Sequence, residues 1–217
     1  MTGDVPGRGP HSPEEEKRSS LDRAIEAVDA GMAVVYPTET VYGLGADATN
    51  KEAVAGVFAL KRRPRDKPLS VAVHSVAAIH EVANPSVRTR RFLDEFLPGP
   101  VTVVCERRDD LPSILTAGGD RVGVRIPSSD RAIELLERTP PLTATSANVT
   151  GGPDVCHPDE LDDRIRAGVG AVLEAGQTPG GPSTVVDVDR GIIHRRGQAA
   201  PTIERWLEDV ADQADSP

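Results

Sequence analysis

Cysteine is too scarce in this chain for a disulfide framework or a zinc site, because Cys105 and Cys156 are isolated and the only two. Long apolar runs are missing as well. No stretch reaches membrane-spanning length, and the N-terminus lacks a hydrophobic signal core. We therefore expect a reduced, cytoplasmic setting without membrane contact.

Aromatic residues make up only 3% of the chain, whereas all hydrophobic residues together make up 38%. The core is therefore expected to be aliphatic, and 217 residues suffice for one enzyme-sized domain. The formal net charge of -9 argues against a broad basic face for nucleic acid. It leaves room for one local basic cleft.

The densest positive charge lies in residues 61–67, which contain five cations: Lys61, Arg62, Arg63, Arg65 and Lys67. Pro64 and Pro68 favour an extended, stiff connection between a predicted helix and a predicted strand. Two interpretations are open at this point. The stretch is either a solvated charge run or a clamp for a polyanion such as a nucleotide triphosphate.

The chain divides into a domain and two tails. Residues 1–18 are rich in Gly, Pro and charge and predict a disordered tail, and residues 212–217 predict a polar tail. Between them, helices and strands alternate over residues 19–211, with Ser19 or Ser20 as the expected cap of the first helix and Asn50 as the expected cap of the second. This alternation, with several close strand pairs, predicts an α/β fold with a mixed sheet flanked by helices.

Polar loops recur beside the predicted strands, at residues 38–45, 61–67, 146–152 and 180–184. Small and charged residues at strand ends are typical of ligand-binding loops, although residues 38–45 also fit an ordinary turn. The glycine-rich loop 146–152 weakly indicates a cradle for phosphate or carboxylate. Arg125, between apolar strand residues, must either pair with an acid or face a ligand.

Familiar catalytic signatures are missing from the sequence. It has no Ser-His-Asp order, no cluster of metal ligands, no Walker loop and no GxGxxG motif. We assign no role to His74 or His194, because isolated histidines are mostly structural.

The sequence does resemble the YrdC/TsaC family of threonylcarbamoyl-AMP synthases, from Leu21 to Gly197. Six motifs carry the resemblance, in the family's order: Pro37-Thr38-Glu39-Thr40-Val41-Tyr42-Gly43-Leu44; Lys61-x-Arg63-Pro64 with Lys67-Pro68-Leu69; Pro98-Gly99-Pro100 with Thr102; Val124-Arg125-Ile126-Pro127; Ser146-Ala147-Asn148; and Pro182-Ser183-Thr184. Each motif is loose by itself, but the ordered set is specific. It favours the clamp interpretation of residues 61–67.

The resemblance implies a twisted, open mixed sheet with a large basic cavity, in the family's short single-domain form. It also implies that L-threonine, bicarbonate and ATP give threonylcarbamoyl-AMP and pyrophosphate. A downstream transferase complex would then modify the adenosine next to the anticodon of tRNA. Magnesium is expected to arrive with ATP, since the sequence offers no protein-held metal site.

Site residues follow from the same motifs. The resemblance assigns the ATP and adenylate chemistry to Lys61, Arg63, Ser146 and Asn148. It adds Lys67, Arg121 and Arg195 on the nucleotide side, although Arg121 replaces an expected small polar residue. It places Thr38, Arg125, Ala144 and Ser183 around threonine, with Arg125 facing the carboxylate. Asp154 also matches a position near ATP, but we leave it out because an acid repels phosphate.

Two other functions compete with the synthase. One is a non-enzymatic double-stranded RNA or ribosome-associated binder that uses the same cavity, and the acidic net charge argues against it. The other is a carbamoyl-adenylate module of the hydrogenase-maturation type. Such modules belong to longer chains with cysteine-rich zinc motifs, which this sequence lacks.

Overall fold

The computed structural model describes residues 13–214 of the chain. Its α-helices are α1 (Pro13–Asp29), α2 (Lys51–Lys61), α3 (Val87–Phe96), α4 (Asp130–Leu136), α5 (Asp163–Gly168) and α6 (Ala200–Ala214). Its strands are β1 (Val34–Tyr36), β2 (Gly43–Gly45), β3 (Ser70–Ala72), β4 (Ala83–Asn84), β5 (Val101–Arg107), β6 (Arg121–Arg125), β7 (Leu142–Ser146), β8 (Ala171–Val172), β9 (Thr184–Asp187) and β10 (Ile192–Arg195). Short 3₁₀ helices span Ala77–Glu81, Ser113–Thr116 and Pro158–Glu160.

The strands form one open mixed sheet in the order β10-β9-β5-β6-β3-β7-β2-β1-β8, with β4 added beside β5. Three neighbouring pairs are parallel, namely β1 with β8, β3 with β6 and β5 with β9. The other pairs are antiparallel. The predicted α/β fold with a mixed sheet flanked by helices is therefore confirmed.

Alternation along the strands sends apolar side chains to one face of the sheet. In β6, Val122 and Val124 are buried in the core, whereas Arg121, Gly123 and Arg125 lie on the opposite face. The core on the first face includes apolar residues of α2 and α3. A second cluster packs α1 and α4 against β1, β3 and β7. The part of this second face that α1 and α4 leave open carries the cavity described below.

Capping side chains mark the first turn of two helices, α2 and α3. The side chain of Asn50 caps α2 by accepting hydrogen bonds from the backbone of Glu52 and Ala53, as predicted. Ser86 caps α3 in the same way, with the backbone N–H of Thr89 as donor. Helix α2 is capped at its C-terminus by Arg62, a non-glycine residue with a φ of 50°, so the basic stretch lies at the end of this helix.

Helix α1 starts earlier than predicted. It begins at Pro13, so residues 13–18 are helical rather than part of a tail, and the hydroxyl of Ser20 donates within the helix to Lys17 O. Proline is favourable at the first helical position, and the glutamates that follow it suit the first turn. The rest of the predicted N-terminal tail, residues 1–12, lies outside the described residues. At the other end, α6 includes residues 212–214 of the predicted C-terminal tail, and residues 215–217 lie outside the description.

Residues 43–45 were predicted as part of a polar loop, but they form strand β2 between β1 and β7. Glycine is required there because the neighbours approach closely. A Cβ atom on Gly45 would lie 2.9 Å from both the carbonyl oxygen of Thr143 and the ring of Tyr36. The hydrophobic pattern alone does not reveal a strand made of two glycines and one leucine. In the described part of the chain, no helix has the length and apolar character needed to cross a bilayer.

Candidate active site

A cavity of about 610 Å³ opens on the face of the sheet opposite the α2 and α3 layer. Alternate residues of the central strands form its floor, which follows from the two-residue repeat of a strand. They are Tyr36 and Gly43 of β1 and β2, Ser70 and Ala72 of β3, Thr102 and Val104 of β5, Arg121, Gly123 and Arg125 of β6, Ala144 and Ser146 of β7, and Val185 and Asp187 of β9.

Gly123 keeps the middle of this floor flat. A Cβ atom on Gly123 would lie 2.6 Å from Ser70 Oγ and 2.9 Å from Thr102 Cγ2, so no side chain fits there. The side chains of Ser70 and Thr102 therefore occupy the space above Gly123. They lie between Arg121 and Arg125, which are on the same face of β6.

Charged side chains reach the cavity from several elements. Its lining includes Arg63, Arg121, Arg125, Arg190 and Arg195, together with Asp154 and Asp187. Arginine is suited to forked contacts with carboxylate and phosphate groups. The excess of cations supports a basic cavity, whose basic character stays a prediction.

Arg125 fits both alternatives that the sequence leaves open. Its Nη2 donates to Glu39 Oε1 at 2.6 Å and to Thr40 Oγ1 at 2.9 Å, while the guanidinium also lines the cavity. The other carboxylate oxygen of Glu39 accepts from the backbone N–H of Ser128 at 3.0 Å. The buried Nε of Arg125 has no hydrogen-bond partner in the described part of the chain. Arg125 is thus ion-paired and still has donors for a ligand.

The remaining residues predicted around threonine also reach the cavity lining. Thr38 is buried, and its hydroxyl donates to Val41 O at 2.7 Å while lying 2.9 Å from the hydroxyl of Thr40. Ser183 accepts from Arg195 at both its hydroxyl, at 2.7 Å, and its carbonyl, at 2.9 Å. Ala144 adds a small side chain to the floor. The structure therefore brings Thr38, Arg125, Ala144 and Ser183 together.

Lys61 is oriented differently from the other predicted phosphate ligands. It is 2% exposed and does not belong to the cavity lining. Its Nζ donates to the carbonyl of Ser146, to the carbonyl of Asn148 at 2.6 Å and to Asn148 Oδ1 at 3.4 Å. Burial, with the charge of Arg63, lowers its pKa to about 8, against an opposing effect of Asp154. Lys61 holds the end of β7 here, and its contact with ATP stays a prediction.

The Ser146–Asn148 turn is organised by its own side chains as well. The hydroxyl of Ser146 donates to Asn148 Oδ1, and Asn148 Nδ2 donates to Gly152 O at 2.7 Å. Ser146 lines the cavity, whereas Asn148 does not. Of this predicted pair, the structure brings only Ser146 to the cavity wall.

Arg63 folds back over its own loop. Its Nε donates to Lys67 O at 2.9 Å and its Nη2 to Pro68 O at 2.7 Å. Arg63 lines the cavity, while the side chain of Lys67 is exposed outside the lining. Burial and the nearby charge of Arg195 lower the pKa of Arg63.

Arg195 and Asp154 reach the cavity from β10 and from the loop after β7. The pKa of Arg195 is lowered by burial and by the charge of Arg125, and Asp154 opposes this effect. Asp154 is an exposed carboxylate that lies among these cations, although we left it out of the predicted site.

Arg121 is paired with two acids, Asp187 and Asp189, that no sequence motif indicated. Its Nη2 donates to Val104 O at 2.9 Å and to Asp187 Oδ1 at 2.8 Å, and it lies 3.7 Å from Asp189 Oδ2. Asp189 in turn accepts from the hydroxyls of Ser86 and Thr89 at the start of α3. This network links the cavity to the cap of α3.

Four functional candidates were missed by sequence reasoning, namely Glu39, Thr40, Asp187 and Arg190. Arg125 was expected either to pair with an acid or to face a ligand, and Glu39 lies in a motif already noted, so that pair was within reach. Asp187 ends an apolar strand, where a single acid gives no periodic signal. Within residues 13–214, no three His, Cys, Asp or Glu side chains lie close enough to hold a metal ion. The expectation that magnesium arrives with ATP stays a prediction.

The fold and the site together define an α/β protein whose open mixed sheet carries an arginine-rich ligand cavity. The chain belongs to the Sua5/YciO/YrdC family, because the family model described as "Telomere recombination" matches residues 26–197. A putative threonylcarbamoyl-AMP synthase of Methanocaldococcus jannaschii is 33% identical over 177 residues, which cover 81% of this chain and 84% of that protein.

Pyrococcus abyssi supplies two further comparisons. Its threonylcarbamoyl-AMP synthase is 35% identical over 161 residues, covering 73% of this chain and 47% of that protein. The crystal structure of P. abyssi Sua5 complexed with L-threonine superposes with a TM-score of 0.79 at 30% identity, covering 84% of this chain and 56% of that one. This chain therefore spans about half the length of the Pyrococcus protein.

Proposed function

We propose that this protein is an L-threonylcarbamoyladenylate synthase, a nucleotidyltransferase that acts on L-threonine, bicarbonate and ATP. The observation that carries the proposal is the meeting of two predicted residue sets in one cavity. Thr38, Arg125 and Ser183 line it together with Arg63 and Arg195. The names of the relatives support this activity over the RNA-binding alternative.

Arg125 is the proposed partner of the threonine carboxylate. Its guanidinium lies on the floor of the cavity, and its ion pair with Glu39 fixes its orientation. A bound carboxylate would take the donors that Glu39 and Thr40 leave unused. The hydroxyls of Thr38 and Ser183 flank this position with polar groups suited to an amino acid. The P. abyssi structure with L-threonine supports a threonine site in this fold.

Arg63 and Arg195, with Ser146, are the proposed contacts of the triphosphate. Lys61 supports them by holding the turn that carries Ser146. Magnesium would enter with ATP as part of the substrate, on the phosphate oxygens. Because the described residues show no group of metal ligands, we derive no step through a protein-held metal.

The proposed reaction needs positioning and charge stabilisation rather than a protein nucleophile. The neutral amine of threonine attacks the carbon of bicarbonate, water leaves, and a carbamate forms. A carbamate oxygen then attacks the α-phosphorus in line, and pyrophosphate leaves with the electron pair of the broken P–O bond. Arginines around the phosphates stabilise the charge that develops during this transfer. The product would pass to a threonylcarbamoyl transferase that acts on tRNA.

Pyrophosphate release from ATP tests the proposal, measured with and without L-threonine and bicarbonate. We expect release to require both, and ¹³C-bicarbonate to give a correspondingly heavier threonylcarbamoyl-adenylate in the mass spectrum. D-Threonine serves as the matched control. Release that is independent of threonine, or a folded protein that binds RNA and ATP without turnover, would overturn the proposal.

A further inference from the structure

A fully buried carboxylate on β9 contacts Arg121, which begins β6 at the end of that strand opposite Arg125. Asp187 is 0% exposed, and its Oδ1 accepts from Arg121 Nη2 at 2.8 Å and from the backbone N–H of Arg190 at 3.1 Å. Its Oδ2 is also buried but has no hydrogen-bond partner among the described residues. A buried carboxylate oxygen without a donor is costly, so its surroundings call for a functional explanation.

Arg190 is the cation placed to serve that oxygen. Its Nε lies 3.7 Å from Asp187 Oδ2, which is close enough for attraction but too long for a hydrogen bond. The side chain of Arg190 is 58% exposed, follows β9 in the turn to β10, and lines the cavity. Its guanidinium is therefore held loosely by Asp187, and the rest of its donors remain available.

Arg121 lies beside it with unused donors as well. Within the described residues, Arg121 contacts Val104 O, Asp187 and Asp189 through Nη2. Its Nη1 makes no hydrogen bond to the protein within the described residues, and the side chain lines the cavity. Asp187 thus holds two arginines, each with donors left for an anion.

The strand register places these arginines next to the proposed phosphate loop. Val71 of β3 pairs with Val124 of β6 in parallel, and Pro68 lies two residues before β3, on the side toward Arg121. Arg63 donates to the carbonyl of Pro68 and therefore lies near the Arg121 end of β6. Arg125 is four residues further along β6, and a strand of that length places it about 13 Å away.

We propose that Arg190 and Arg121, both anchored on the buried carboxylate of Asp187, clamp the terminal phosphates of a nucleoside triphosphate. The inference rests on the proposed function only in taking the nucleotide as the ligand. Forked N–H donors of two arginines match the terminal phosphate oxygens. The charge of Asp187 fixes Arg121 through a hydrogen bond and attracts the more mobile guanidinium of Arg190 toward the same position. A nucleoside monophosphate lacks the terminal phosphates and gains nothing from this clamp.

Arg190→Gln tests the proposal through nucleotide affinity measured by calorimetry. We expect ATP to bind about tenfold more weakly, because charge-assisted hydrogen bonds to phosphate are lost. AMP should bind with unchanged affinity. The matched control is Arg196→Gln, which removes an exposed arginine that pairs with Glu204 outside the cavity lining. It should change neither affinity.

Equal weakening for ATP and AMP, or unchanged ATP affinity in Arg190→Gln, would overturn the clamp. A wild-type protein that binds ATP no more tightly than AMP would overturn it as well. Because the readout is binding, it separates this inference from the proposed activity. Product formation with unchanged ATP binding in the variant rejects only the clamp. Selective loss of ATP binding, in a protein that makes no threonylcarbamoyl-adenylate, supports the clamp and rejects the activity.

Discussion

The two ends of β6 differ in how deeply the acid that pairs with the local arginine is buried. Each presents an arginine to the cavity, and each arginine is paired with a carboxylate from another element. At one end, Arg125 and Glu39 are 13% and 16% exposed, so both partners border on solvent. At the other end, Arg121 is 19% exposed, while Asp187 is completely buried.

The difference indicates which arginine can bind a second carboxylate while it keeps its first partner. Glu39 borders on solvent, so water screens its repulsion of a ligand carboxylate that binds the unused donors of Arg125. Asp187 has no water to replace a lost donor, so Arg121 remains fixed in place. We therefore expect Arg125 to act in recognition of a carboxylate, and Arg121 to act as a rigid wall with spare donors.

The largest effect should come from removing the buried acid. Asp187→Ala leaves Arg121 without its buried counter-charge, and breaking such a pair costs about 3 kcal/mol of unfolding free energy. Chemical denaturation measures this value. Glu39→Ala is the matched variant at the end whose acid borders on solvent, and about 1 kcal/mol is expected there. Equal losses in the two variants would break the distinction between the two ends.

Arg125→Ala is expected to raise the KM for threonine more than the KM for ATP. Loss of a charged contact to the carboxylate corresponds to about 2 kcal/mol, or roughly thirtyfold in the threonine requirement. Steady-state kinetics with each substrate varied in turn measures both values. Thermal melting controls for folding. A comparable rise for both substrates contradicts the carboxylate assignment.

Arg63→Ala probes the nucleotide side near the other end of β6. Turnover should fall about tenfold through loss of a charge-assisted phosphate contact, with little change in stability. Little change in stability is expected because, within residues 13–214, the side chain bonds only to carbonyls of its own loop. The exposed Arg65, which lies over the ring of Phe58, offers the control variant Arg65→Ala. Unchanged turnover of folded Arg63→Ala protein would remove Arg63 from the proposed triphosphate contacts.

Lys61 sharpens the comparison because carbonyl oxygens, rather than a carboxylate, hold its ammonium group. Folding lowers its pKa from 10.5 to about 8. The unfolded chain therefore binds more protons between these values, so the contribution of Lys61 to the unfolding free energy rises with pH in this window. The gain is about 1 kcal/mol between pH 8 and pH 9.

The measurement compares pH profiles of unfolding free energy for the wild type and Lys61→Met. The difference between the profiles should move in favour of the wild type as the pH rises from 8 to 9. Lys67→Met, at an exposed position in the same loop, should run parallel to the wild type. A constant difference between wild type and Lys61→Met would mean that Lys61 keeps its ordinary pKa in the folded protein.

Much of the fold could be predicted because its signals are local. The cap at Asn50 and the apolar alternation of β6 depend on residues close together in the chain. Strand β2 escaped prediction because two glycines give no hydrophobic pattern, and only packing against Tyr36 explains them. The sequence-based prediction began helix α1 too late, because the charged first turns of the helix resemble a disordered tail in composition.

The candidate site likewise has residues that motifs could select and contacts that they could not predict. Motif order was enough to select Thr38, Arg63, Arg125, Ser146 and Ser183, and the structure brings all of them to one cavity. Composition could not say that Lys61 turns away from the cavity, because its acceptors lie 85 and 87 residues further along the chain.

By itself, the sequence determined the alternation of helices and strands, the aliphatic core and the set of polar loops, since each depends on short-range patterns. Only the tertiary structure decided which arginine meets which acid. Arg121 pairs with Asp187 across 66 residues of chain, and Arg125 pairs with Glu39 across 86. Such pairs depend on strand order and register, which no local pattern encodes. They also determine which charges are fixed and which remain available to a ligand.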